Sequence, residues 1–175
     1  MRIGIIGSGN VGGTLGRRWA GTGHEIMFGS RDPSSKKVRS LLEQINGKAK
    51  AGTLTDTAAY GDILVLATPW SATEQTLTSL GDLSGKIIFD CTNPLKPDFS
   101  LDLGHTTSGA EQVAEWAENA RIVKVFNTTG YGNMADPDYD GQKPRCSSPV
   151  MITSRNPRQP GCRRKSTLKP LTAVR

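Results

Sequence analysis

The residues best suited to chemistry in this chain form a glycine-rich loop near its amino terminus. The loop has the spacing Gly-x-Gly-x-x-Gly and consists of six consecutive residues, namely Gly7, Ser8, Gly9, Asn10, Val11 and Gly12. Gly7 permits a tight turn, Gly9 lets backbone approach a ligand closely, and Gly12 permits close packing of a helix on a strand. The free N–H groups at the start of such a helix attract phosphate groups. The loop therefore predicts a site for the pyrophosphate of a dinucleotide.

The segments that flank this loop have the order that such a site requires. Residues 2–6 form a short apolar run, residues 11–20 have a helical pattern, and residues 25–28 form a second apolar run. The order strand, glycine-rich turn, helix and strand distinguishes a dinucleotide-binding motif from a chance match. The alternative interpretation is a glycine turn without a ligand.

The residues after the second apolar run indicate which dinucleotide binds. A cofactor with a free ribose 2′-hydroxyl is usually held by an acidic residue about 20 residues beyond the glycines. This chain has Ser30 and Arg31 there, and a hydroxyl and a guanidinium suit a 2′-phosphate. We therefore predict NADP(H). Two alternatives remain, since Asp32 could hold a ribose hydroxyl and the basic residues could simply be solvated. Three more basic residues follow, namely Lys36, Lys37 and Arg39.

Length and composition exclude several classes of protein. A chain of 175 residues suits one domain with a substantial core. Its three cysteines are an odd number without Cys-x-x-Cys spacing, which argues against a disulfide framework or a structural zinc site. No apolar run approaches the length of a membrane span, and glycines interrupt the amino-terminal run in a way that signal peptides lack. These features predict a soluble, cytoplasmic protein without a metal site.

Strand and helix patterns alternate along the chain. Strands are predicted at residues 2–6, 25–28, 48–54, 62–67, 86–90 and 121–126, and helices at 11–20, 35–45, 55–60, 71–80 and 108–119. This alternation predicts an α/β fold, a doubly wound parallel sheet of the Rossmann type with the strand order 3-2-1-4-5-6. We expect Ser34 or Ser35 to cap the second helix and Ser71 to cap the fourth.

Small polar residues with proline or glycine follow three of these strands, at residues 67–70, 90–94 and 126–130. Ligands bind beyond the carboxyl ends of the strands in an open parallel sheet. We therefore expect a polar rim on the nicotinamide side of the site, with four candidate residues, namely Thr68, Pro69, Asn93 and Thr128. The alternative for each of them is an ordinary turn residue.

Six segments together resemble one known family of oxidoreductases. They are residues 1–12, 29–31, 68–70, 90–95, 123–128 and 134–138. With these segments the chain resembles the NADP oxidoreductases that depend on the deazaflavin coenzyme F420, a family related to the ferric-reductase domains of the STEAP proteins. The resemblance extends over roughly residues 1–145.

This resemblance implies hydride transfer between the nicotinamide C4 and a flat deazaflavin or flavin-type acceptor. It implies that the glycine-rich loop holds the pyrophosphate, and that Ser30, Arg31 and a following lysine, here Lys36 or Lys37, hold the 2′-phosphate. Because positioning of two rings carries most of the rate, we expect no catalytic acid or base. Two histidines, His24 and His105, are therefore expected to be structural or solvated. The alternative is an NADP(H)-binding module without turnover, in which the acceptor-binding part is missing.

The composition changes where the resemblance ends, near Pro144. Residues 143–175 contain nine basic and no acidic residues, although the whole chain has a net charge of +6. We predict an NAD(P)-binding domain at residues 1–144 and an irregular or disordered basic tail at 145–175. The tail has three interpretations: a truncated or frame-shifted reading frame, a basic arm that contacts nucleic acid or an anionic surface, or a solvated terminus. As partners we expect a small-molecule acceptor, no membrane and, the tail apart, no nucleic acid, and we allow for a homodimer.

Overall fold

A computed structural model of the chain describes residues 1–104, 106–138 and 150–153. The described residues form one seven-stranded sheet in the order β3-β2-β1-β4-β5-β6-β7. The strands are β1 (Arg2–Ile6), β2 (Glu25–Gly29), β3 (Ala49–Gly52), β4 (Ile63–Leu66), β5 (Ile87–Asp90), β6 (Arg121–Lys124) and β7 (Val150–Thr153). The helices are α1 (Asn10–Gly21), α2 (Lys36–Glu43), α3 (Leu54–Tyr60), α4 (Trp70–Thr78), α5 (Gly109–Trp116) and α6 (Tyr131–Ala135). The predicted α/β class and the parallel order 3-2-1-4-5-6 are confirmed.

The seventh strand, β7, pairs antiparallel with β6 and is not predicted from the sequence. Its four residues lie between segments rich in proline and arginine, and so short an apolar run gives no periodic pattern. The domain boundary at residue 144 stays a prediction. His105, Cys146, Cys162 and the rest of the basic tail lie outside the described residues.

The sheet is buried on both faces because successive side chains of its central strands point to opposite sides. Ile6, Leu64 and Leu66 contribute to one core cluster, which α4 and α5 cover with Leu77 and Val113. The second cluster, on the other face, takes its strand residues from the alternate positions, namely Ile3, Ile5, Ile26, Phe28 and Val65. Side chains of α1 and α2 belong to this second cluster. The core thus holds β1 and β4 rigidly at the centre of the sheet.

The first turns of the helices differ in part from prediction. Ser108, the first residue of the helix predicted at 108–119, is the N-cap of α5, and its side chain and that of Glu111 form a reciprocal capping box. Ser35 is the N-cap residue of α2, but its side chain makes no capping hydrogen bond. The prediction that Ser71 caps α4 is wrong, because the helix begins at Trp70 and Pro69 is its N-cap. Proline has a fixed φ and no N–H group, so a helix can begin directly after it.

Candidate functional site

The carboxyl ends of five parallel strands lie in one row at the same edge of the sheet. Backbone pairing aligns Gly29 with Ile6, Ile6 with Leu66, Leu66 with Asp90, and Asp90 with Lys124. The strand order reverses between β1 and β4, and ligands of open parallel sheets bind beyond the strand ends at such a reversal. The glycine-rich loop and the predicted polar segments therefore all begin at the level where a ligand would bind.

The three glycines of the loop have different surroundings. Gly7 has a φ of +114°, and a Cβ atom there would lie 2.6 Å from the carbonyl oxygen of Ala67. A Cβ atom on Gly12 would lie 2.0 Å from the carbonyl oxygen of Gly7. A Cβ atom on Gly9 would have no described atom within 4 Å. Gly7 and Gly12 are therefore needed for the turn and for close packing, whereas Gly9 borders open space.

The start of α1 presents backbone N–H groups toward that open space. Gly9 is the N-cap residue, and among the described residues no side chain caps the helix. The first helical hydrogen bond runs from the N–H of Gly13 to the carbonyl of Gly9, at 2.8 Å. The N–H groups of Asn10, Val11 and Gly12 precede that bond, so they have no partner within the helix. A helix start of this kind can bind an anion.

The turn after β2 leaves Arg31 available. The hydroxyl of Ser30 donates to the carbonyl of Asp32 at 3.0 Å and accepts from the N–H of Asp32 at 3.2 Å. The Asp32 carboxylate accepts from the N–H and the hydroxyl of Ser34 through the same oxygen. Arg31 is exposed and makes no hydrogen bond or ion pair to any described residue. Lys36 is exposed at the first position of α2.

The polar residues after β4 bond to one another, and the loops after β5 and β6 are joined by a separate contact. The hydroxyls of Thr68 and Thr73 lie 3.0 Å apart, and the Thr73 hydroxyl donates to the carbonyl of Pro69. Since that bond uses the Thr73 proton, Thr68 is the donor between the two hydroxyls. Asn93 donates from Nδ2 to the carbonyl of Asn127 at 3.3 Å, which joins the loops after β5 and β6. Thr128 follows in the second of these loops and is exposed.

Sequence reasoning missed a buried ion pair at the same edge. Lys124 Nζ lies 2.9 Å from Asp90 Oδ2, and the side chains are 15% and 0% exposed. Asp90 Oδ1 accepts from the N–H and the hydroxyl of Thr92 at 2.9 and 2.7 Å. The ammonium of Lys124 also donates to the carbonyl of Thr92. The sequence signal for this pair was a lysine, Lys124, within an apolar strand, together with an aspartate, Asp90, at the end of the preceding strand.

The thiol of Cys91 lies beside this pair and gives a pH-dependent prediction. Burial, reinforced by the nearby Asp90 carboxylate, raises the pKa of the Cys91 thiol from 9.0 to about 12. The unfolded thiol therefore ionises first, so its stabilising contribution is complete below pH 9 and is lost between pH 9 and about 12. We expect the free energy of unfolding to fall by up to about 1.4 kcal/mol per pH unit in that range.

The check is urea unfolding of the wild-type chain and of Cys91→Ala between pH 8 and 11. The two proteins share every other titrating group, including Cys146 and Cys162, so the difference between their pH profiles isolates Cys91. A difference that grows as the pH rises above 9 is the expected result. Parallel profiles would show that the Cys91 thiol ionises equally in the folded and unfolded states.

The histidine that the structure describes lies away from these strand ends. His24 immediately precedes β2 and therefore sits at the opposite edge of the sheet, where its N–H donates to the carbonyl of Trp19. Within residues 1–104 and 106–138 there is no group of three or more His, Cys, Asp or Glu side chains that could hold a metal ion. No helix in the described part of the chain is long and apolar enough to cross a membrane.

Comparison with known proteins identifies the family. The chain matches the family described as NADP oxidoreductase, coenzyme F420-dependent, over residues 2–94, which include the glycine-rich loop, Ser30, Arg31 and Asn93. The chain belongs to this family. The resemblance found from the sequence is therefore confirmed.

Individual members and relatives of the family match a larger part of the chain. It is 35% identical over 142 residues to the F420-dependent NADP reductase of Methanothermobacter thermautotrophicus, covering 73% of this chain and 61% of that protein. It is 30% identical over 127 residues to metalloreductase STEAP3 of Rattus norvegicus, covering 72% of this chain and 24% of that protein. A protein from Arthrobacter sp. FB24 with a solved crystal structure is 30% identical in sequence to the chain. The two structures superpose with a TM-score of 0.71, and the match covers 77% of this chain and 66% of that protein. The chain thus spans only part of the length of these relatives.

Proposed function

We propose that the chain is an NADP(H)-dependent oxidoreductase that transfers a hydride between the nicotinamide and a deazaflavin or flavin-type acceptor. Two observations together carry this proposal: the open space at Gly9, and an exposed Arg31 that makes no hydrogen bond or ion pair to the described residues. Gly9 follows β1 and Arg31 follows β2, and these neighbouring strands end in register. The chain offers a helix start suited to anions and an exposed guanidinium at one level of the sheet, as a dinucleotide with a 2′-phosphate requires.

The residues at the two ends of the site fit the phosphates of NADP(H). The pyrophosphate would approach the backbone of Gly9 and accept hydrogen bonds from the first N–H groups of α1. The 2′-phosphate would be held by Arg31 and Ser30, with Lys36 adding a second positive charge. Asp32 is the weaker choice for this end, because Ser34 donates twice to one oxygen of its carboxylate.

The nicotinamide would lie on the other side of the reversal in strand order, against the polar rim after β4, β5 and β6. The candidate residues of this rim are Thr68, Pro69, Asn93 and Thr128. The nicotinamide, when bound, would supply the hydride, and these residues would orient its ring. Exposed aromatic side chains follow the same strands. Phe99, which comes after β5, is 82% exposed, and Tyr131, which comes after β6, is 52% exposed. Such side chains suit a flat, largely aromatic acceptor.

The family description and the name of the Methanothermobacter thermautotrophicus relative both support coenzyme F420 as the acceptor. When NADPH is the donor, the acceptor receives the hydride and takes one proton from solvent, and NADP⁺ is released. We assign the cofactor site to a domain formed by residues 1–144. The prediction of a homodimer and the expectation that nucleic acid contacts at most the tail stay open to test.

NADPH oxidation in the presence of coenzyme F420 or FMN, with NADPH binding followed by fluorescence alongside, tests this proposal. We expect saturable NADPH binding and oxidation that depends on one of the two acceptors. Oxidation with FMN alone would assign the acceptor to the flavins. Tight NADPH binding without oxidation by either acceptor would contradict the proposed activity and support a binding module without turnover.

A further inference from the structure

We propose that Lys124 is a positioning residue that holds the loop after β5 at a fixed distance from the loop after β6. Its ammonium group, paired with the Asp90 carboxylate, would thereby fix the place of Asn93 beside the nicotinamide. This proposal rests on the proposed function, because it concerns the nicotinamide end of that same site.

The contacts of Lys124 cross from β6 to the neighbouring loop. Its Nζ atom binds Asp90 Oδ2 at the end of β5 and the carbonyl of Thr92 two residues later. The Thr92 hydroxyl lies 3.5 Å from the same ammonium group and donates to the other oxygen of Asp90. One cation therefore holds both ends of the turn that precedes Asn93, and Asp90 accepts from that turn as well.

A second set of contacts joins the same two loops directly. Val125 immediately follows the last residue of β6, and its N–H donates to the carbonyl of Asp90 at 3.0 Å. Asn93 then reaches the carbonyl of Asn127 through its Nδ2 atom. The side chain of Asn93 is thus bound to the loop after β6, while Lys124, the last residue of β6, holds the turn from Asp90 to Thr92 that directly precedes Asn93. A shift of either loop would change the place of Asn93.

Stability alone is a poor explanation for this pair. Removing two charges from water is costly, and a buried ion pair is often replaced by apolar residues without loss of stability. Asp90 is fully buried and Lys124 largely so, and every buried side-chain nitrogen or oxygen among the described residues has a hydrogen-bond partner. Since the pair lies at the strand ends where the ligand would bind, we infer that it sets geometry there.

The test compares how NADPH and 2′,5′-ADP bind to the double variant Asp90→Asn with Lys124→Met. Both ligands carry the 2′-phosphate, but only NADPH carries the nicotinamide. We expect the affinity for 2′,5′-ADP to stay within about twofold of wild type and the affinity for NADPH to fall about tenfold. The rate of NADPH oxidation should fall about a hundredfold, as displacement of a reacting ring by about 1 Å can cause.

Two further variants separate positioning from stability. Lys86→Met is the matched control, because Lys86 donates to the carbonyl of Gly61 at 2.9 Å at the opposite edge of the sheet. It should lose stability without changing the ratio of the two affinities. Lys124→Arg keeps the positive charge beside Asp90, and therefore the fold, but its planar head cannot reproduce the ammonium contacts. We expect it to lose NADPH affinity selectively, by about threefold or more.

Equal changes for both ligands, or an unchanged ratio in the double variant and in Lys124→Arg, would overturn the positioning role. The ratio of the affinities for NADPH and 2′,5′-ADP can be measured without turnover. It therefore tests the role of Lys124 even if the wild-type chain oxidises no NADPH. A lack of oxidation would count against the proposed function alone. A wild-type chain that binds neither ligand would contradict both proposals.

Discussion

Replacing Arg31 with aspartate is expected to weaken NADPH binding by about a hundredfold or more while leaving NADH binding nearly unchanged. A charge-assisted hydrogen bond contributes about 1.5–3 kcal/mol, and a guanidinium can make two to one phosphate. Two such bonds correspond to at least about a hundredfold in affinity, and the introduced carboxylate adds repulsion. NADH has a hydroxyl in place of the 2′-phosphate, so it loses little.

Arg31 is well suited to this experiment because its substitution should not disturb the fold. It is exposed and makes no hydrogen bond or ion pair to the described residues that its loss would break. Fluorescence titration with each cofactor measures the effect. Arg39→Asp, the same charge change one turn into α2, is the matched control and should alter both affinities only slightly. Equal losses for NADPH and NADH in Arg31→Asp would contradict the assignment of the 2′-phosphate.

Alanine at Gly9 and alanine at Gly12 should have opposite consequences for stability and binding. At Gly9 the backbone has a φ of −77° and a ψ of −165°, which alanine adopts readily, and the new methyl group meets no described atom. We expect the free energy of unfolding to stay within about 0.5 kcal/mol of wild type. NADPH binding should fall about tenfold or more, because the methyl group occupies the space that the pyrophosphate needs.

Gly12→Ala should instead destabilise the chain by about 1–3 kcal/mol or more. Its Cβ atom would lie 2.0 Å from the carbonyl oxygen of Gly7, so α1 must move away from the loop. Gly21→Ala is the control, because that glycine ends the same helix and a Cβ atom there would have no atom of the described residues within 4 Å. Urea unfolding and NADPH titration of all three variants distinguish the two effects. Wild-type NADPH affinity in Gly9→Ala would show that no ligand approaches this backbone.

The sequence predicted well what depends on short-range patterns. The limits of β1 follow from an apolar run, and the start of α1 at the glycine-rich loop follows from glycine spacing. The parallel order of six strands follows because alternating strands and helices allow few topologies. The same patterns placed Ser30 and Arg31 directly after the second strand, at the edge of the sheet where the glycine-rich loop lies.

Features that depend on contacts between distant segments were not predictable. The pairing of Lys124 with Asp90 requires the register of β5 against β6, which apolar runs do not specify to one residue. The start of α4 at Trp70 rather than Ser71 reflects a proline N-cap, a residue that gives no side-chain signal. The four residues of β7 are too few to show a periodic pattern in the sequence. The strand is therefore recognisable only from its pairing with β6.

Titration of the wild-type chain with NADPH and with NADH, under one set of conditions, shows whether the loop at Gly9 and the exposed Arg31 together bind a dinucleotide with a 2′-phosphate. We expect saturable binding of NADPH that is at least about a hundredfold tighter than that of NADH. Equal affinities for the two cofactors, or no binding of either, would contradict it.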